Sequence, residues 1–198
     1  MKLERFYPIF DDDAWFARAL PLGVQLAQLR VKDRPESDVR GIVDRAHASC
    51  VKHGATLVVN DHWRVAIDAG CDFVHLGQED LDSADVPSIR RAGMRLGIST
   101  HDDDELERAL GLDPDYVALG PVYPTQLKAM KWAPQGLARV TEWKRRVGSI
   151  PLVAIGGLSV ERATAVFEAG ADVVSVVTDV TRSDDPESRI REWLEVTR

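Results

Sequence analysis

Eight short runs rich in β-branched residues recur along the chain, and each is followed by a segment with helical spacing. The runs are YPIF (7–10), VQLAQLR (24–30), TLVVN (56–60), FVHL (73–76), RLGIS (95–99), YVALG (116–120), PLVAIG (151–156) and VVSVV (173–177). Amphipathic segments such as ESDVRGIVDRAHASCVKHG (36–54), GLARVTEWKRRVG (136–148) and VERATAVFEAG (160–170) fill the intervals. Strands separated by helices pair in parallel, with the helices packed outside the sheet. Eight units in 198 residues is roughly 25 residues each, which predicts a compact α/β fold, a (β/α)₈ TIM barrel with one domain over 1–198.

An internal echo supports repeated units. DAGCDFVHLG begins at Asp68 and EAGADVVSVV at Glu168, so an acid-Ala-Gly-small-Asp run enters a strand twice. Glycine ends the helix and a tight loop leads into the next strand. The longest irregular stretch, GPVYPTQLKAMKWAPQG (120–136), follows the sixth strand, where a barrel would carry a lid-like loop.

Composition narrows the partners. A net charge of -7 argues against nucleic acid or an anionic membrane, both of which need a basic field. A local cluster of cations can still hold a small anion. Two cysteines without CxxC spacing, no 18-residue apolar run and no signal-peptide core lead us to expect a cytoplasmic protein. Oligomeric state is left open between a monomer and a small homo-oligomer.

The strand ends carry the chemistry, because barrel active sites lie at the C-terminal ends of the strands. The second run ends in Gln28, Arg30 and Lys32, on one face by period two. Cations facing a barrel interior carry a heavy desolvation cost unless an anion meets them. Asn60 and Asp61 follow the third run, His75 to Asp80 the fourth and Ser99 to His101 the fifth. Thr125 and Lys128 follow the sixth. Asp61 and Asp80, without cysteine or HExxH spacing, suit a hard oxygen-seeking ion such as Mg²⁺, held by one or two carboxylates and shared with phosphate. IGG (155–157) and VVTDVT (176–181) match the barrel's habitual monophosphate cradle of backbone N–H groups. Two anion sites imply two phosphorylated substrates, or one that is doubly phosphorylated.

Plainer readings stand beside these. Asp61 and Thr100 could cap the helices that follow them, and the acidic runs 11–13 and 102–104 favour helix dipoles. His47 and His53 read as surface residues, and His75 as either a ligand or a hydrogen-bonded interior histidine. The tryptophans, among them Trp15, Trp143 and Trp193, read as packing.

The same stretches resemble thiamine-phosphate synthase, in order from about Tyr7 to Thr181. They are QLRVK, NDHWRVAIDAGCDFVHLGQEDL, LGISTHDDDELERAL, YVALGPVYPTQLK, WAPQGL and VAIGGLSVERATAVFEAGADVVSVVTDVT. The resemblance implies a barrel enzyme joining hydroxymethylpyrimidine diphosphate to thiazole phosphate, giving thiamine phosphate and pyrophosphate. It implies that Gln28, Arg30, Lys32, Asn60, Ser99 and Lys128 hold the pyrimidine diphosphate, with Arg30, Lys32 and Lys128 catalytic. Asp61 and Asp80 would bind Mg²⁺, and Thr125, Gly157, Val177 and Thr178 would cradle the thiazole phosphate. The implied chemistry is dissociative. Pyrophosphate leaves first, a pyrimidine methylene cation forms, and the thiazole nitrogen attacks it, so no nucleophilic residue is needed.

The chain departs from the family pattern at Leu127, where a second threonine is usual; one lost hydroxyl bond is worth about 1 kcal/mol. Thr178 stands where serine is common and keeps the hydroxyl. Three rival readings are a thiazole tautomerase-like paralogue, a sugar-phosphate isomerase or epimerase barrel, and a non-catalytic precursor-binding protein. A tautomerase would not need the full set Arg30, Lys32, Asn60, Asp61, Asp80 and Lys128, an isomerase or epimerase would not explain the cations after the second run, and Leu127 alone favours the third.

Overall fold

The computed structural model describes residues 3–125 and 132–198, apart from the Glu36 side chain. Its strands are β1 (Phe6–Phe10), β2 (Leu26–Leu29), β3 (Thr56–Asn60), β4 (Phe73–Leu76), β5 (Arg95–Thr100), β6 (Tyr116–Leu119), β7 (Leu152–Ile155) and β8 (Val173–Val176). All pair in parallel in sequence order, and β1 pairs with β8 to close the barrel. The helices are α1 (Ala14–Ala19), α2 (Glu36–His53), α3 (Trp63–Asp68), α4 (Gln78–Leu81), α5 (Val86–Arg91), α6 (Asp103–Leu110), α7 (Gly136–Val147), α8 (Val160–Glu168), α9 (Thr178–Thr181) and α10 (Pro186–Val196). A 3₁₀ turn at Leu20–Leu22 joins α1 to β2. The expected strand–helix alternation is therefore observed, with α4 and α9 as extra short helices at strand ends.

Two apolar layers follow from the period of two along each strand. Outward-facing side chains such as Val59, Val74, Leu96 and Val174 meet the helices, where Trp143 and Trp193 are fully buried. Inward-facing Tyr7, Leu26, Val58, Phe73, Tyr116, Val153 and Val173 fill the barrel itself. Trp193 stacks on Phe6 at 5.5 Å, and Trp15 stacks on Phe10 at 5.5 Å, so these tryptophans pack as expected.

The acidic residues at helix starts divide by role. Asp102 accepts the Glu105 N–H at 2.9 Å, and Asp85 and Asp185 cap α5 and α10 in the same way. Asp13 instead pairs with Arg45 of α2. The aspartates just before β6 and β8 have a different use. Asp172, from the second echoed run, accepts the Leu152 N–H at 2.8 Å and the Lys144 ammonium at 2.7 Å, and Asp115 does the same for the Leu96 N–H and Arg90. Each stitches the N-terminal end of its strand to the neighbouring strand and to the helix that leads into that neighbour. Asp172→Ala should lower stability by about 1–2 kcal/mol, because the Leu152 N–H loses its acceptor, while Asp172→Asn, which keeps a carbonyl oxygen, should recover most of it. Thermal melts of both variants check this; an alanine variant melting with the parent chain would refute it.

Candidate active site

The C-terminal rim of the barrel gathers most of the sequence-predicted residues. Gln28 is the last inward-facing residue of β2 and is buried. Arg30 lies one residue past the strand, its N–H still bonded to the Phe10 carbonyl at 2.7 Å, and its side chain is exposed. Gln28, Arg30 and Lys32 alternate with Leu29 and Val31, which are buried in the outer apolar layer beside Ala27, so the period of two runs on past the last paired residue, Leu29, until the chain turns at Asp33, φ 56°. Lys32 meets Asp61 at the rim. Both cations stand at the solvated mouth instead of inside the barrel, so the heavy desolvation cost expected for them does not arise.

Asp61 follows β3 with a φ of 62°, the left-handed region that a non-glycine residue adopts only when its surroundings hold it there. Its N–H bonds the His75 carbonyl at 2.9 Å. Its carboxylate accepts the Lys32 ammonium and shares a hydrogen bond with Asp80. Asp61 does not cap α3; the cap position belongs to His62. Thr100 caps nothing either, since its hydroxyl donates to the Ala118 carbonyl and accepts from Trp143 Nε1.

The carboxyl pair divides its charge. Burial pushes Asp61 upward, but the Lys32 ammonium and the hydrogen bond from Asp80 outweigh it, so Asp61 lies below the usual carboxylate range. Burial raises Asp80, and the hydrogen bond and negative charge of Asp61 raise it further. Such a pair holds a proton between its oxygens or gives it up to a cation. Among the described residues no group of three or more His, Cys, Asp and Glu converges on a point. Two carboxylates fit an ion that takes few protein ligands and completes its shell with water and phosphate, which is the habit of Mg²⁺.

Beneath the rim, a hydrogen-bonded chain crosses the barrel. Gln28 Nε2 donates to the Tyr7 hydroxyl at 2.7 Å, which lies 3.0 Å from the Tyr116 hydroxyl. Tyr116 is 2.7 Å from His75 Nδ1, and His75 Nε2 is 2.8 Å from Ser99 Oγ. His75 is thus the hydrogen-bonded interior histidine of the two readings. Burial, with a further push from the Arg30 charge, lowers it to about 4 against a weaker upward pull from Asp61, so it is neutral at physiological pH. Two buried polar atoms have no partner among the described residues, Asn60 Nδ2 and Ser175 Oγ. An unbonded buried donor costs about 1–3 kcal/mol, so Asn60 is aptly placed to meet a ligand acceptor. The thiols of Cys50 and Cys71 are buried and pushed up to about 12, which leaves neither a ready nucleophile.

On the opposite side of the rim, Gly156 and Gly157 have φ of 98° and 65°. A Cβ at Gly157 would sit 2.5 Å from the Pro124 carbonyl, so the β7 turn and the segment after β6 approach as only glycine permits. Val177 and Thr178 open α9 directly after β8. Asp179 anchors that short helix through Arg189 at 2.9 Å and Trp193 Nε1 at 2.7 Å. Thr125 lies at the end of the described segment, while Leu127 and Lys128 lie outside the described residues. The following stretch is held to the rim where Trp132 stacks on His101 at 3.9 Å and Gln135 donates to the His101 carbonyl.

The thiamine monophosphate synthase family model matches residues 7–180, nearly the whole barrel. The chain belongs to that family. It is 60% identical over 197 residues to the thiamine-phosphate synthase of Rhizobium etli, covering 100% of this chain and 97% of the relative. With the enzyme of the same name from Cronobacter sakazakii it shares 47% over 190 residues, 96% of this chain and 90% of the other. The solved thiamine phosphate pyrophosphorylase of Pyrococcus furiosus superposes with a TM-score of 0.87 at 25% identity, covering 98% and 95% of the two chains.

Within this thiamine monophosphate synthase barrel, sequence reasoning missed Tyr7, Tyr116, Gly97 and Ser175. The tyrosines look like ordinary strand residues. Their signal is parity: each shares the inward face with Gln28 or His75, and a buried tyrosine hydroxyl needs a polar partner. Ser175 shares that face of β8, and nothing in the string VVSVV shows that its hydroxyl is unmatched.

Proposed function

We propose that the protein couples hydroxymethylpyrimidine diphosphate to thiazole phosphate, releasing pyrophosphate and forming thiamine phosphate. The observation that carries this reading is the joint placement of Arg30, Lys32, Asp61 and Asp80 on one rim, above the unpartnered amide of Asn60. A diphosphate meets positive charge there without being drawn into the dry interior. Mg²⁺ held by the carboxylates of Asp61 and Asp80 would neutralise part of the charge on the leaving diphosphate. Arg30 and Lys32 bind that group and stabilise it as it departs, joined by Lys128 from the segment after β6. Gln28, Asn60 and Ser99 orient the pyrimidine.

Thr125, Gly157, Val177 and Thr178 hold the second phosphate on the far side of the rim, which directs the thiazole nitrogen toward the pyrimidine methylene carbon. The bond to pyrophosphate breaks and a carbon–nitrogen bond replaces it, with no covalent enzyme intermediate. The interior beneath, filled by aromatic and aliphatic side chains, admits no water to that carbon from below. Among the described residues no helix is long and apolar enough to cross a membrane.

The test is direct. Purified protein with both substrates and Mg²⁺ should yield thiamine phosphate and pyrophosphate in equal amounts. Excess EDTA should abolish the product, and added Mg²⁺ should restore it. Binding without product would favour a precursor-binding protein. Exchange of thiazole isomers alone would favour a tautomerase.

A further inference from the structure

The buried chain from Gln28 to Ser99 has a direction, and that direction has a chemical consequence. An amide nitrogen only donates, and each tyrosine hydroxyl has one proton to give. Gln28 Nε2 donates to Tyr7. Tyr7 must then give its proton to Tyr116, and Tyr116 must give its own to His75 Nδ1. Were Nδ1 protonated instead, it would donate to Tyr116, Tyr116 to Tyr7, and the Tyr7 proton would be left facing an amide N–H. A buried hydroxyl without an acceptor costs about 1–3 kcal/mol. The satisfied arrangement therefore leaves Nδ1 bare and Nε2 protonated, donating to Ser99 Oγ. With its oxygen so engaged, Ser99 turns its own O–H toward the site. Gln28 turns its amide nitrogen toward Tyr7 below, which leaves Oε1 on the opposite side, toward the rim.

We propose that Tyr7, Tyr116 and His75 are positioning residues that lock Gln28 as an acceptor and Ser99 as a donor, so that the site selects a 4-aminopyrimidine over its 4-oxo counterpart. An amino group donates to Oε1 and a ring nitrogen accepts from Ser99. A 4-oxo group sets oxygen against Oε1 and moves a proton onto the ring. The ring of Tyr116 is held for this task. It stacks on His75 at 5.5 Å and 11°, and it fills the space left by Gly97, where a Cβ would lie 2.1 Å from its Cζ. The selection half of the proposal rests on the pyrimidine reading above; the tautomer half does not.

The two halves are tested separately. Histidine ¹⁵N chemical shifts of the ligand-free protein should show His75 as the Nε2–H tautomer. The Nδ1–H tautomer, which a reversed Gln28 amide would impose, would overturn the proposal. Tyr116→Phe, checked for folding by thermal melt, should give a mixed or reversed tautomer, and Tyr7→Phe should act in the same direction. The parent chain should prefer the 4-amino over the 4-oxo pyrimidine diphosphate in kcat/KM by about 100-fold or more, and Tyr116→Phe should cut that ratio at least about tenfold. An unchanged tautomer and ratio in both variants would overturn the relay. If no product forms, binding of the two diphosphates by calorimetry reads the same ratio. Binding of neither would overturn both the selection and the pyrimidine reading, with the tautomer result still standing on its own.

Discussion

Arg30→Ala should lower kcat by about 100- to 1000-fold, the usual loss when one preorganised group is removed from a developing negative charge. The guanidinium is exposed at the barrel mouth, and the backbone bond from its N–H to the Phe10 carbonyl survives the substitution. Stability should therefore change by no more than about 0.5 kcal/mol. KM should rise less than kcat falls, because the charge on pyrophosphate grows as the bond to carbon stretches. Steady-state kinetics with a thermal melt on the same sample separates the two effects. Near-normal turnover would remove Arg30 from the leaving-group site.

Gly97→Ala should be strongly destabilising. The added Cβ would lie 2.1, 2.3 and 2.6 Å from three ring carbons of Tyr116. That ring has no room to retreat. It is fully buried, lies edge-on to Phe73 at 5.5 Å and to Tyr7 at 5.9 Å, and is bonded to His75. Overpacking of this kind costs about 3 kcal/mol. For a chain of this length that corresponds to a fall in Tm of about 6–12 °C. Gly97→Ala combined with Tyr116→Leu should recover part of the loss, because the clash is with the ring. A single variant melting within about 2 °C of the parent would show that the ring is less constrained than its contacts imply.

How much of this was legible in the sequence varied with the range of the interaction. The eight strands were readable because β-branched runs and helical spacing are local patterns. Arg30, Asp61 and Asp80 were readable as candidates because barrels place their sites at strand ends, so position along the strand stands in for position in space. Lys32 was readable by the same alternation, which buries Leu29 and Val31 and leaves Arg30 and Lys32 exposed beyond the last strand residue. The reading of Thr100 as a cap failed because its partners, Ala118 and Trp143, are distant in sequence.

The sequence alone determined the alternation of strands and helices, the family, and the charged groups at the strand ends. Each depends on residue type and spacing within a few positions. Only the tertiary structure decided that Asp61 and Asp80 share a hydrogen bond, that His75 is an interior link, and that Tyr7 and Tyr116 join Gln28 to Ser99. Closing the barrel brings Tyr7 and Tyr116, 109 positions apart, to hydrogen-bond distance. Which inward-facing groups then meet is set by stagger and side-chain volume, above all by the space that Gly97 leaves for one aromatic ring.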